Sequence, residues 1–480
     1  MNFRLLFAGL LVPAVLCCNK PTPEPTPTPT PEPEPDKTVT ATITVPSNEV
    51  SVEEGATVSL GAATNSSQAI TYTSADEAIA TVTTAGVVTG VKAGNTTISL
   101  KVPAVEGKFT AAETTVNVTV TAKPITPDPD DDLDPEITDG ATVLAPNADV
   151  EKFLTDVHYP THDYTFTSLL TWAQENNVQV CPGKSDKPSE YTIRWTDNPK
   201  AKNVVVTVSE PTRDWVYTPT GDNTYVVITN LLPNTHYTFK VVADGATIKD
   251  GAFDTVGKVH QVYFKNVRNS RDLGGWKTED GKTVKYRMVY RGGRFDGLAK
   301  SGKTAIKTEG LKAELDLRGT SDVDSDSSLK GIVEDYEFCA PVIEEGYREM
   351  LRDDKEKTRQ SMQFIFDMVA KNKPVYFHCS LGRDRTGTVA MLTLGILGVP
   401  EGDISQEYEL TQFAPSGYAT SSGESQKMTR IANWGYGYTA DYIWENYAGD
   451  GSFQDGVNAY LLEIGISQAD IDKFKQNMLE

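Results

Sequence analysis

Cysteine and histidine are both scarce in this sequence, at five each in 480 residues. Two of the cysteines, Cys17 and Cys18, sit in an N-terminal apolar leader, and Cys181, Cys339 and Cys379 are far apart. That usage excludes a disulfide scaffold. The histidines (His158, His162, His236, His260 and His378) lack ligand spacing. His158 and His162 are four apart, but Pro160 between them argues against the helix that would align them, so no metal and no other cofactor is expected. Positive charge is short as well. Against 66 acidic residues stand 45 Lys and Arg, a formal charge of −21. Nucleic acid is therefore not an expected partner, because phosphate backbones need cations. Residues 258–480 hold 29 basic and 34 acidic residues, so most of the imbalance lies before them. At roughly 150 residues per domain, the length asks for about three domains.

Residues 1–18, MNFRLLFAGLLVPAVLCC, place one cation before an apolar run too short to span a bilayer. The stretch resembles a bacterial lipoprotein signal, with Cys18 read as the lipidated residue and Cys17 as the alternative. The resemblance implies an exported protein anchored to a membrane by an N-terminal lipid, in a bacterial cell envelope or at the cell surface. Residues 19–37 are a proline-rich stalk. Alternating proline at 21–36 favours an extended polyproline form of about 3.1 Å per residue.

Residues 38–122 are rich in Thr, Val, Ala and Gly, with short alternating stretches that predict a β-sandwich. The run ADEAIATVTTAGVVTGVKAGNTTISL (75–100) resembles the bacterial Ig-like group 2 domain, which implies a spacer or a weak adhesin. An acidic, proline-bearing linker covers 123–140. Residues 141–257 are expected to hold a second sandwich with an N-terminal extension, helical around Tyr164–Gln174. YTIRWTD (191–197), NVVVTVSE (203–210) and TYVVITNLLPNTHYTFKVVAD (224–244) supply its strands. With Trp195 on an early strand and Tyr237 after a Leu-Pro-Asn-Thr turn, this segment resembles a fibronectin type III module. Both residues are expected in its core.

The chemistry lies in KPVYFHCSLGRDRTGTVAM, which begins at Lys373. Val375–Phe377 predicts a buried strand and the apolar run from Arg385 a helix, with a loop that opens at Cys379 and closes at Arg385. The backbone N–H groups of Ser380, Leu381, Gly382, Arg383, Asp384 and Arg385 can converge there on one phosphate, since the loop feeds a helix N-terminus. The same field favours the thiolate of Cys379. Arg385 offers a planar fork to two phosphoryl oxygens, Gly382 permits close backbone approach, and Thr386 can hydrogen-bond the sulfur as leaving group. No metal is needed for such phosphoryl transfer, because the arginine and amides cover the developing charge.

The run HCSLGRDRTG resembles the signature of atypical, lipid-active bacterial tyrosine phosphatases, His-Cys-x-x-Gly-Lys-Asp-Arg-Thr-Gly. Asn269–Gly275, Val289–Arg294, Ala313–Arg318 and Ile404–Gln412 resemble further segments of that family, so the resemblance covers about 258–480. It implies an α/β domain around a mainly parallel sheet and a phosphocysteine intermediate. The expected architecture is thus multidomain: Ig-like and fibronectin III-like sandwiches, then an α/β cysteine phosphatase. By position, Cys379 attacks phosphorus and Arg385 holds the equatorial oxygens. Asp384 is the expected general acid, with Asp322 and Asp324 as alternatives and pairing to an arginine as its plain structural role. His378 is expected to shape the loop, and Asp316 and Arg318 to pair beside it. Arg271 and Arg291 either line the pocket or pair structurally.

Arg383 stands where the family has lysine and keeps the charge. Residues 265–312 form a basic strip of 13 Lys and Arg against 5 acidic residues, read either as a solvated face or as an approach for polyanions. Cys339 is either a lone buried thiol or a disulfide partner of Cys379. The expected function is metal-independent hydrolysis of a phosphorylated protein, an inositol phosphate or a phosphoinositide. A surface adhesion protein whose C-terminal domain only binds phosphorylated ligands is the alternative.

Overall fold

The computed structural model describes residues 38–122, 124–125, 143–145, 147–159, 166–180, 183, 187–195, 202–219, 223–295, 298–319, 329, 331–342, 347–414 and 436–480. The leader with Cys17 and Cys18, the proline-rich stalk, Cys181, Asp322 and Asp324 lie outside the described residues. Two compact units emerge. The first holds most of residues 38–118; the second holds Thr119–Glu480 with Ser51–Thr57 and Thr89–Asn95.

The first unit is all β, with a four-stranded and a three-stranded sheet. Its strands alternate small polar and aliphatic residues, and the alternation sorts the faces: Val116 and Val118 are buried while Thr115 and Asn117 are exposed. Thr71–Ser74 runs antiparallel to Gly94–Val102, with Thr71 opposite Lys101.

In the second unit, Val205–Glu210, Arg213–Tyr217, His236–Ala243 and Ala246–Thr255 form the antiparallel body of a six-stranded sheet. Tyr191–Arg194 pairs with Tyr225–Ile228 in a separate sheet. Both sheets feed one core that includes Ile193, Trp195, Val206, Val226, Tyr237 and Phe253. Tyr191 and Tyr237 stack on Phe253, at 3.7 and 5.1 Å between centroids. The Tyr237 hydroxyl accepts from the Leu232 amide at 2.8 Å, which satisfies a buried polar tip.

The C-terminal part is layered around a five-stranded sheet in the order Arg271–Asp272, Val289–Gly292, Val375–His378, Ala313–Asp316, Asp335–Phe338. The first pair is antiparallel and the remaining three are parallel. Val375–His378 is central and buried at all four positions, which is why it reads as a continuous apolar run rather than an alternation. The helix Asp384–Leu397 is buried from Thr386 to its end and stops at Gly398, whose φ of 83° terminates it before Pro400.

The helices Ala148–Asp156 and Phe166–Glu175 pack on this C-terminal core rather than on the neighbouring sheets. Phe153 and Trp172 lie 5.3 and 6.2 Å from Phe413 between centroids. The six-stranded sheet is tied to the same part by polar contacts. Arg287 donates to Glu210 at 2.8 Å and lies over the Trp215 ring, 4.9 Å from its centroid. His260 joins the Asn230 carbonyl, 3.0 Å away, to the Asp272 carboxylate, 3.1 Å away.

Candidate active site

Strand Val375–His378 ends at the carboxyl edge of the parallel strands, where open α/β sheets bind ligands. Cys379 follows at once, and the chain turns through Ser380–Arg383 into the helix that starts at Asp384. The N-cap residue Arg383 makes no side-chain cap hydrogen bond to that helix, and a helix N-terminus is a favourable place for an anion. Among the described residues the N–H groups of Leu381 and Gly382 meet no acceptor. Cys379 itself is buried.

Gly382 adopts φ +67°, and a Cβ there would fall 2.2 Å from the carbonyl carbon of Gly292 and 2.5 Å from the nitrogen of Gly293. Only glycine meets both conditions. The loop therefore lies backbone to backbone against the end of the adjacent strand.

The other expected residues fall as follows. Arg385 is half-buried in the first helical turn, and its Nε donates to the Pro341 carbonyl at 2.7 Å. Asp384 accepts from Arg383 on both oxygens, from Nε and, at 3.0 Å, from Nη2. Arg383 is thereby drawn against its neighbour and is buried. The Thr386 hydroxyl is buried without a hydrogen-bond partner among the described residues. It is thus free to serve a group that enters the site.

Behind the strand, His378 bonds Glu314 at 2.8 Å and the Cys379 carbonyl at 3.3 Å. Asp316 takes Arg318 Nε at 2.9 Å and Nη2 at 2.6 Å. Burial alone would raise the Asp316 carboxyl, but the Arg318 hydrogen bonds and the His378 charge outweigh it and hold the group below its ordinary range. Glu314, Asp316 and His378 offer ligand atoms within 4.8 Å of one another. Glu314 is already engaged by His378 and by the Leu329 amide at 2.5 Å, and Asp316 by Arg318, so the cluster is complete as a hydrogen-bonded group.

Arg271 and Arg291 pair structurally. Glu407 accepts Arg271 Nε on one oxygen and Arg291 Nη1 on the other, each at 2.6 Å. The second Nη of Arg291 donates to the Gly382 carbonyl at 2.6 Å, and Asn269 Nδ2 reaches the same oxygen at 2.9 Å. Sequence reading gave no role to Asn269 or Glu407, although both fall in segments that carried the family resemblance. The basic strip is not one solvated face. Arg271 and Arg291 are buried and Arg287 is mostly covered, all three in ion pairs, whereas Arg268 and Arg294 are exposed.

Cys339 follows the strand Asp335–Phe338, and Ala313–Asp316 lies between it and the Cys379 strand. Two strand spacings are roughly 10 Å, beyond disulfide reach. Both thiols are free, and burial pushes that of Cys339 up.

Comparison with known proteins gives the family of this region. Residues 262–480 match the tyrosine phosphatase family. Residues 39–115 match the bacterial Ig-like domain, group 2. A predicted tyrosine-protein phosphatase of Cupriavidus necator is 26% identical over 170 residues, which are 31% of this chain and 62% of the relative. A tyrosine-protein phosphatase of Nostoc commune is 30% identical over 122 residues, 23% of this chain and 42% of the relative. The chain thus spans less than two thirds of either relative. The surface-layer protein SbsC (domains 4–9) is 18% identical, covering 45% of this chain and 31% of its own with a TM-score of 0.15, too loose a likeness to bear on the fold. Among the described residues no helix is long and apolar enough to cross a membrane.

Proposed function

We propose that the C-terminal domain is a cysteine-dependent phosphatase that hydrolyses phosphomonoesters through a phosphocysteine intermediate. The observation that carries the reading is the loop Cys379–Arg385, set between a central parallel strand and an uncapped helix N-terminus, with Gly382 pressed on Gly292. Cys379 Sγ attacks phosphorus, the S–P bond forms, and the ester P–O bond breaks. Arg385 leaves the Pro341 carbonyl to take two phosphoryl oxygens with its fork. Asp384 supplies the proton to the departing oxygen once the substrate draws Arg383 from it. Water then attacks phosphorus, orthophosphate leaves, and the thiolate returns with Thr386 donating to it. The substrate is a phosphotyrosine protein, a phosphoinositide or an inositol phosphate.

Around this domain we read an exported chain, held to a membrane by a lipid on Cys18 and spaced from it by the stalk, the Ig-like domain and a fibronectin III-like module. Full-length protein in chelator is the material for the test, with phosphotyrosine peptide, phosphoinositide and inositol hexakisphosphate as substrates beside Cys379→Ser. Phosphate release that vanishes in the variant is expected. The Ig-like match keeps the adhesion reading in view, and ligand binding without release from any substrate would favour it.

A further inference from the structure

We infer that Asn269 is a positioning residue that aims the phosphate-binding amides of the loop, an inference that rests on the phosphatase reading above. Asn269 is 2% exposed and sits at φ +60°, a left-handed position that asparagine tolerates better than most residues. Its Nδ2 faces two carbonyl oxygens, Leu381 at 3.1 Å and Gly382 at 2.9 Å, while its Oδ1 accepts from Arg271 Nη1. Those partners fix which end of the amide is which, since carbonyls only accept and a guanidinium only donates.

The consequence follows from peptide geometry. In a trans peptide the C=O and the following N–H point in opposite directions. Drawing the Leu381 carbonyl toward Asn269 sends the Gly382 N–H the other way, and that N–H meets no acceptor among the described residues. Drawing the Gly382 carbonyl toward Asn269 and Arg291 likewise turns the Arg383 N–H to the side away from Asn269. Without the clamp, either peptide can turn over and present an oxygen to the phosphate. Arg291 does not replace Asn269, because its donor serves Gly382 and not Leu381. Arg271 and Arg291, both seated on Glu407, hold Asn269 and the Gly382 carbonyl in place.

Two variants of the full-length chain test this. Asn269→Gly removes the clamp but keeps the left-handed backbone accessible. Asn269→Asp keeps size and backbone preference but turns a carboxylate oxygen on two carbonyls. Asn372→Gly, the same change at an exposed left-handed turn, is the control. Tungstate, a phosphate-like oxyanion, is titrated by calorimetry, and p-nitrophenyl phosphate turnover is measured alongside on protein with native circular dichroism. In both Asn269 variants tungstate affinity should fall at least about tenfold and kcat/KM about ten- to a hundredfold, with the control unchanged. Wild-type tungstate affinity in both variants overturns the inference, as does a wild-type protein that binds no tungstate. Wild-type protein that binds tungstate without turning over substrate sinks the phosphatase reading instead, and the ratio of affinities still decides the role of Asn269.

Discussion

Gly382 and Gly292 touch backbone to backbone: a single added carbon at Gly382 would sit 2.2 Å from its neighbour's carbonyl carbon. Gly382→Ala adds a left-handed penalty of roughly 1–2 kcal/mol to overpacking of about 1–3 kcal/mol. The expected result is a lower melting temperature and a loop that no longer grips phosphate. Turnover should drop by about a hundredfold or more. Wild-type turnover in that variant would remove the close approach from the account.

Among the described residues the side chain of Arg385 makes one hydrogen bond, to the Pro341 carbonyl, so little stability rests on it there. Arg385→Lys keeps a charge but loses the planar fork. A fall in kcat/KM of about 10²–10³ with an unchanged melt is expected. Steady-state kinetics and differential scanning fluorimetry on the same sample check both halves.

Asp384 and Arg383 are joined by two hydrogen bonds, and the general-acid assignment requires that pair to open. Asp384→Asn should slow hydrolysis of phenyl phosphate, whose leaving group needs a proton, by about 10²–10⁴. Release of p-nitrophenolate, a better leaving group, should suffer less. Equal losses on both substrates would leave Asp384 as a structural partner of Arg383.

Asp316 carries a pH dependence of stability. Its folded carboxyl lies below the ordinary 3.8, so its contribution is present in full above that value and is lost as pH falls through the lower folded one. At pH 7, Asp316→Asn should cost about 3–5 kcal/mol, because it takes the paired carboxylate from the buried Arg318. In urea titrations from pH 7 to pH 2.5, the gap between wild type and variant should narrow only below about pH 4. A gap that stays flat across that range would contradict the pairing.

A chain beginning at residue 258 loses Phe153 and Trp172 from the core around Phe413, and Glu210 from Arg287. Uncovered aromatic and ionic surface should make it aggregate or melt well below a chain beginning at residue 143. Size-exclusion chromatography and thermal melts of the two compare directly. Equal melts would mean that the preceding segments only lie alongside.

The Cys379–Arg385 loop between strand and helix was legible because its parts are contiguous. A β-prone run, Cys379, Gly382, Arg385 and an apolar helix follow within 25 residues, and strand and helix periodicities bracket them. The rest depends on contacts across the chain. Glu407 meets residues 136 and 116 positions earlier, and Asn269 reaches carbonyls more than 110 positions later. A glutamate within a helix and an asparagine in a turn are common residue types, and no spacing reveals that they converge. The helix Phe166–Glu175 was foreseen around Tyr164–Gln174, whereas Ala148–Asp156 and the core that both helices cover escaped for a similar reason. Amphipathicity shows that they must cover something, not which core they cover.

The strand that separates Cys339 from Cys379 has a chemical consequence under oxidants. A sulfenic acid on Cys379 lies too far from Cys339, the other thiol among the described residues, to condense with it, so a Cys339–Cys379 disulfide cannot shelter it from a second oxidising event. Where neither a thiol nor a backbone nitrogen traps that sulfenic acid, peroxide carries it on to the sulfinic acid, which thiol reductants do not reverse. The strand that keeps Cys339 clear of the proposed nucleophile also withholds it when the attacker is hydrogen peroxide.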